Sequence, residues 1–133
     1  MIDLDIVVVN WNTGPQLLGC MQSISSVCLE RFQLHQCIVV DNASADGSAD
    51  IPENSLLPLT MIRNRENKGF AYACNQGAKK GTSEYILFLN PDCRCYAPGN
   101  DPDQGGRKKE GHPHQLHYAT RFSLRRHNHA ESQ

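Results

Sequence analysis

Ile6-Val7-Val8-Val9 runs directly into Asn10-Trp11-Asn12, and Cys37-Ile38-Val39-Val40 runs directly into Asp41-Asn42-Ala43-Ser44. Each apolar run is short, unbroken and rich in β-branched residues, which predicts a strand buried on both faces. Each stops abruptly at a polar cluster. Leu59-Thr60-Met61-Ile62 and Tyr85-Ile86-Leu87-Phe88-Leu89 predict two more strands, the second ending in Asn90-Pro91-Asp92. After the first strand, Leu17, Leu18, Met21, Ile24 and Cys28 recur at spacings of three and four, as on the apolar stripe of a helix. After the third, Asn67-Lys68-Gly69 opens a small-residue segment over 70–77, suited to a helix lying close against a sheet. Strand and helix signals alternate, which predicts an α/β layer with a mainly parallel sheet flanked by helices.

The polar clusters carry the chemistry. In open parallel sheets a ligand crevice lies beyond the carboxyl ends of the strands. Three predicted strands end in clusters there, and the 67–69 cluster precedes a helix, so all four gather on one rim. Asp41 could accept hydrogen bonds from a base or ribose hydroxyl, or simply form a turn. Trp11, the only tryptophan, could stack on a nucleobase or pack as a core or rim aromatic. Asp46 reads as the N-cap of a short helical turn over 47–50. Lys68 and Gly69 put a cation and a permissive backbone at a helix start, where phosphate is attracted. No GxGxxG or GxxxxGKS/T is present, which disfavours the dinucleotide and Walker A readings. Asn90 and Asp92 could offer an amide oxygen and a carboxylate to a hard divalent cation, or form an ordinary proline turn.

Composition bounds the reading. A chain of 133 residues fits one domain. Its formal charge of −1 gives no electrostatic case for nucleic acid or an anionic membrane as main partner. Six cysteines without an export signal read as small buried hydrophobes rather than a disulfide framework. No apolar run is long enough for a membrane span. The expected location is therefore cytoplasmic, or peripheral at the inner face of a membrane.

The hydrophobic share, 39%, is unevenly spread. Residues 1–95 hold seven Ile and six Val, and residues 96–133 hold none. The tail instead carries five of the six His. Composition thus divides the chain into a folded region, 1–95, and an irregular tail, 96–133. Three origins compete for that tail: out-of-frame text from a frameshift or truncated gene, an authentic disordered segment, or a metal-binding tail of His112, His114, His117, His127 and His129 with Cys93 and Cys95. Composition favours the first.

In order, the motifs resemble the front half of a family-two glycosyltransferase of the GT-A fold. The matching text is Val7-Val8-Val9-Asn10-Trp11-Asn12, Val39-Val40-Asp41-Asn42-Ala43-Ser44-Ala45-Asp46-Gly47-Ser48, Asn64, Asn67-Lys68-Gly69-Phe70 through Asn75-Gln76-Gly77, and Glu84-Tyr85-Ile86-Leu87-Phe88-Leu89-Asn90-Pro91-Asp92. The branch it looks most like is the bacterial rhamnosyltransferase-like one. The resemblance implies a Rossmann-like sheet that binds a nucleotide-diphospho-sugar donor. It also implies a glycan or lipid-linked acceptor in polysaccharide or cell-envelope synthesis, and Mg²⁺ or Mn²⁺. By matched position the donor would meet Asn10, Trp11, Asn12, Asp41, Asn67, Lys68, Gly69, Asn75 and Asn90. Asp92 would be the metal-binding carboxylate, with Asn90 standing where the family has the first Asp of its DxD motif. After Arg94 the pattern departs from the family, and no general base is assigned. The alternative expectation is an inactive remnant that binds the donor without transferring the sugar.

Overall fold

The computed structural model describes residues 2–26, 32–52, 57–96 and 124–126. Strands β1 (Ile2–Asn10), β2 (Phe32–Asp41), β3 (Leu59–Arg63) and β4 (Tyr85–Leu89) alternate with helices α1 (Gln16–Ser26) and α2 (Phe70–Lys80), and a short β5 (Leu124–Arg126) follows. The sheet order is β3-β2-β1-β4-β5. β1 pairs in parallel with β2 and β4, and β2 with β3. The predicted α/β architecture is therefore present.

β1 occupies the centre, and both its faces are buried. Leu4, Ile6 and Val8 pack with Leu17, Cys20, Met21 and Ile24 of α1. Val7 packs on the other face with Ile38, Val40, Ala73, Ala78 and Ile86, beneath α2. α2 sits close because Gly77 faces Val7: a Cβ there would stand 2.4 Å from Val7 Cγ1. The helix stripe on α1 differs from expectation in two members. Leu18 is exposed, and Cys20 takes its place in the core. Cys28 lies outside the described residues.

Two strands begin earlier than their apolar runs. β1 includes Asp5, which is fully buried. Its carboxylate accepts from the Thr82 and Ser83 backbone N–H groups at 2.7 and 2.9 Å and from Ser83 Oγ at 2.9 Å. Those charge-assisted bonds offset the desolvation of the carboxylate, and tie the loop before β4 to β1. β2 gains the half-buried alternation Phe32-Gln33-Leu34-His35-Gln36. Asp46 caps the 47–50 turn as expected: its Oδ1 accepts from Ser48 N–H at 2.9 Å, and Asp50 N–H closes the turn on the Gly47 carbonyl at 3.0 Å, with no helix following.

Beyond Tyr96, the described residues of the tail are the three of β5. This strand pairs antiparallel with β4 through Tyr85, Ile86 and Leu87. A free strand edge is a template of unpaired N–H and C=O groups, and backbone pairing needs no β-branched residues. The expectations placed on 97–123 and 127–133, including the histidine cluster, lie outside the described residues. No helix among the described residues is long and apolar enough to cross a membrane.

Cys20, Cys37 and Cys93 are buried free thiols, and Cys95 packs against the same cluster. Burial pushes Cys20 and Cys37 up from 9.0 to about 12. In the unfolded chain these thiols ionise first, so unfolding is favoured as pH rises. Stability from this source is fully present below about pH 9 and is lost toward about pH 12. Urea midpoints should therefore fall steadily between about pH 8.5 and about pH 10.5, and less steeply in Cys37→Ala. A midpoint that does not move over that range would contradict the burial of these thiols.

Candidate functional site

Asn10 ends β1 and is completely buried. The two N–H groups of its amide Nδ2 are shared among three acceptors, Asp41 Oδ1 at 3.0 Å, Ser44 Oγ at 3.2 Å and Ser48 Oγ at 2.9 Å. Its Oδ1 accepts from the Thr13 hydroxyl. The side chain is thus consumed inside the protein. It holds the loops after β1 and β2 together and does not reach the surface.

Asp41 ends β2 opposite Asn10 in the parallel register. Its carboxylate accepts from Asn10, from Ser44 Oγ at 2.6 Å and from Ser44 N–H at 3.2 Å. The tight loop needs Ala43 at φ 63, a left-handed conformation that costs a non-glycine residue about 1 kcal/mol. The side chains of Asp41 and Asn42 point to opposite sides, as those of successive strand residues do: Asp41 toward Asn10, and Asn42 toward Gly69, whose carbonyl accepts from Asn42 Nδ2 at 3.2 Å. Asn12, also left-handed at φ 48, closes the other side. Its N–H donates to Ser44 Oγ at 2.9 Å and its Oδ1 accepts from Ala45 N–H at 2.8 Å. Asp46 accepts from Gly14 and Ser48 N–H groups, both at 2.9 Å. Its hydrogen bonds, led by Ser48, lower its pKa.

The third strand end is pinned differently. In the Asn90-Pro91-Asp92 turn, Cys93 N–H donates to the Asn90 carbonyl at 3.0 Å. Arg94 donates to the carbonyls of Pro91 at 3.2 Å, Cys93 at 2.9 Å and Gln16 at 3.3 Å. Its guanidinium lies over Gly19 of α1, where a Cβ would stand 2.4 Å from Nη2. Arg94 and Gly19 therefore seat this turn on α1. Neither has a distinctive local signal, because their meeting is a long-range packing event.

Between these ends opens a cleft of about 270 Å³ lined by Val9, Trp11, Thr13, Asn42, Asn67, Phe70, Asn90 and Pro91. Trp11 and Phe70 are 55% and 61% exposed, leaving two aromatic faces accessible at the cleft. Of the residues singled out in the sequence, Trp11, Asn67 and Asn90 line the cleft. Asn10, Asn12 and Asp41 are not in the lining; they tie together the loops that carry Trp11, Thr13 and Asn42. Gly69 turns at φ 87 into α2, with its N–H bonded to Asn67 Oδ1 at 2.9 Å. Lys68 is held outside the lining by Glu66 at 2.8 Å and stands 5.7 Å from the Tyr72 ring centre. The Glu66 carboxylate raises the Lys68 pKa. Asn75 is exposed on α2, also outside the lining. Asn42 was visible only as a turn residue, yet it both lines the cleft and braces it.

Asp92 is exposed, one residue beyond the lining. Among the described residues no group of three or more His, Cys, Asp or Glu is arranged to hold a metal. A single open carboxylate still fits a hard cation that takes most of its ligands from substrate phosphates and water, as Mg²⁺ does.

The sequence model described as "Glycosyl transferase family 2" matches residues 5–98. The chain belongs to glycosyl transferase family 2. It is 28% identical over 95 residues to an uncharacterized glycosyltransferase of Haemophilus influenzae, covering 71% of this chain and 31% of that protein. The mannosyltransferase PcManGT of Pyrobaculum calidifontis, solved with GDP-Man and Mn²⁺, superposes with a TM-score of 0.61 at 23% identity, covering 68% of this chain and 28% of that one. S. aureus TarS 1–349, solved with UDP-GlcNAc, gives 0.59 at 23% identity, covering 68% and 27%. At that identity the likeness establishes the GT-A-type fold alone. The chain spans under a third of the length of these proteins.

Asn10→Ala tests the family-two site's internal scaffold. It should lower stability by about 2 kcal/mol, because the Asp41 carboxylate and Thr13 hydroxyl lose a buried partner. Urea unfolding of the variant and the parent measures this; equal midpoints would contradict the role given to Asn10.

Proposed function

We propose that the cleft binds a nucleotide-diphospho-sugar donor, and that the chain serves sugar transfer to a glycan or lipid-linked acceptor in polysaccharide or cell-envelope synthesis. The single observation that carries this reading is the cleft itself. It lies at the carboxyl ends of parallel strands, with the exposed Trp11 and Phe70 rings beside the amides of Asn42, Asn67 and Asn90. Flat apolar faces suit a nucleobase. The amides and the Thr13 hydroxyl suit base or ribose edges. Family membership and the donor complexes of PcManGT and TarS support the same ligand class. The rhamnosyltransferase-like branch is part of this proposal and rests on the order and wording of the motifs.

Asp92, with Asn90 beside it, is the group that would hold Mg²⁺ or Mn²⁺. The cation, when bound, neutralises charge on the diphosphate. The protein's own contribution is geometric. The Asn10 knot ties together the loops that carry Trp11, Thr13 and Asn42, and Arg94 fixes the turn that carries Asp92.

Calorimetry with UDP, dTDP and GDP, with and without Mn²⁺, tests the proposal on the full chain. At least one nucleotide should bind, and more tightly with metal. Trp11→Ala should weaken binding by about tenfold, the loss expected for one base–aromatic stack. Asp92→Ala should abolish the gain from metal while leaving metal-free binding unchanged. A folded chain that binds none of the three nucleotides would sink the proposal. Nucleotide release from a sugar donor separates transfer or hydrolysis from binding alone.

A further inference from the structure

A chain of side-chain amides runs behind the cleft edge formed by Asn67 and Phe70. Asn42 Nδ2 donates to the Gly69 carbonyl at 3.2 Å, and Asn42 Oδ1 accepts from Asn64 Nδ2 at 3.0 Å. Asn64 and Gln76 then face each other as a reciprocal amide pair. Asn64 Nδ2 donates to Gln76 Oε1 at 2.7 Å, and Gln76 Nε2 donates back to Asn64 Oδ1 at 2.9 Å. Backbone bonds anchor the same relay: Asn64 N–H donates to the Asp41 carbonyl, and Asn42 N–H to the Asn10 carbonyl, both at 2.9 Å. The end of β2, the residue after β3 and the middle of α2 thus converge on one carbonyl.

That carbonyl belongs to a conformationally demanding residue. Gly69 sits at φ 87 and ψ 162 at the start of α2, and no side chain caps the helix there. Its C=O already begins the helix by accepting from Ala73 N–H at 3.2 Å. The Asn42 bond is a second restraint, and it fixes the direction in which residues 67–70 leave the helix. Both N–H groups of the Asn64 amide are committed, one to Asn42 and one to Gln76. Neither a carboxylate nor a hydroxyl can supply two donors and one acceptor at that position.

We propose that Asn64 and Gln76 are positioning residues: through Asn42 they hold Gly69 and so set the Asn67 and Phe70 edge of the cleft. Only the ligand arm of the test rests on the donor-binding reading above. The loop arm is independent of any ligand.

The experiment uses the ¹⁵N-labelled full chain, as parent, as Gln76→Leu, and as the exchange pair Asn64→Gln with Gln76→Asn, which keeps two facing amides. Gln76→Glu, which keeps the shape but loses the donor to Asn64 Oδ1, carries the test if Gln76→Leu unfolds. Backbone amide resonances of Gly69 and Phe70 should move in Gln76→Leu, while those of Thr82 and Ser83, held by Asp5, stay in place. The exchange pair should return Gly69 and Phe70 toward the parent positions. Binding of whichever of UDP, dTDP and GDP the parent takes with Mn²⁺ should weaken about tenfold in Gln76→Leu, the equivalent of one or two lost hydrogen bonds, and recover in the exchange pair. Unmoved Gly69 and Phe70 resonances in a folded Gln76→Leu would overturn the proposal. So would an exchange pair that folds but restores neither resonance. If Gly69 moves and recovers while the parent itself binds no nucleotide, the positioning role stands and the donor reading fails.

Discussion

One buried amide organises the site. Asn10 sits at the end of the central strand, where a polar side chain must be hydrogen-bonded or cost several kcal/mol. It meets that demand by binding Asp41, Ser44, Ser48 and Thr13 at once. The loops after β1 and β2 therefore take up one joint conformation. Within that joint conformation Ala43 is left-handed, Asn42 bonds to Gly69, and Trp11 lies at the surface. Most of the geometry of the cleft follows from satisfying this one group.

The fold was legible because the strands at its centre are buried on both faces. Such strands read as unbroken β-branched runs, and 6–9 and 37–40 are that. What stayed hidden were the beginnings of those strands. Asp3 and Asp5 interrupt the apolar pattern, and partners far off in sequence, the N–H groups of Thr82 and Ser83 and the Ser83 hydroxyl, make a buried carboxylate at position 5 tolerable. β5 was hidden for a different reason. A three-residue strand paired through its backbone on an exposed edge leaves almost no trace in side-chain pattern.

The site was legible as a set of neighbourhoods, less so as roles. The clusters at 10–12, 41–44, 67–69 and 90–92 do converge on one rim, as parallel topology requires. Which member faces the ligand depends on contacts between clusters. Asn10 and Asp41 look like ligand-binding groups in isolation, yet they bond to each other and to Ser44, and Asn10 also to Ser48 and Thr13. Lys68 looks like a phosphate-binding cation, yet Glu66 and Tyr72 occupy it. Asn42, Asn64 and Gln76 look like turn and helix-surface residues, yet they form a relay between three elements. Arg94 and Gly19 join two segments far apart in sequence, a pairing that no local spacing encodes.

The claim on which the account rests is that the rim cleft holds a nucleotide. Trp11 is the only tryptophan, is 55% exposed and lines that cleft. Its fluorescence therefore reports on the cleft without labelling. Titration of the folded chain with UDP, dTDP or GDP in the presence of Mn²⁺ should give saturable quenching with at least one of them. Emission that stays unchanged to millimolar concentrations of all three would contradict the account.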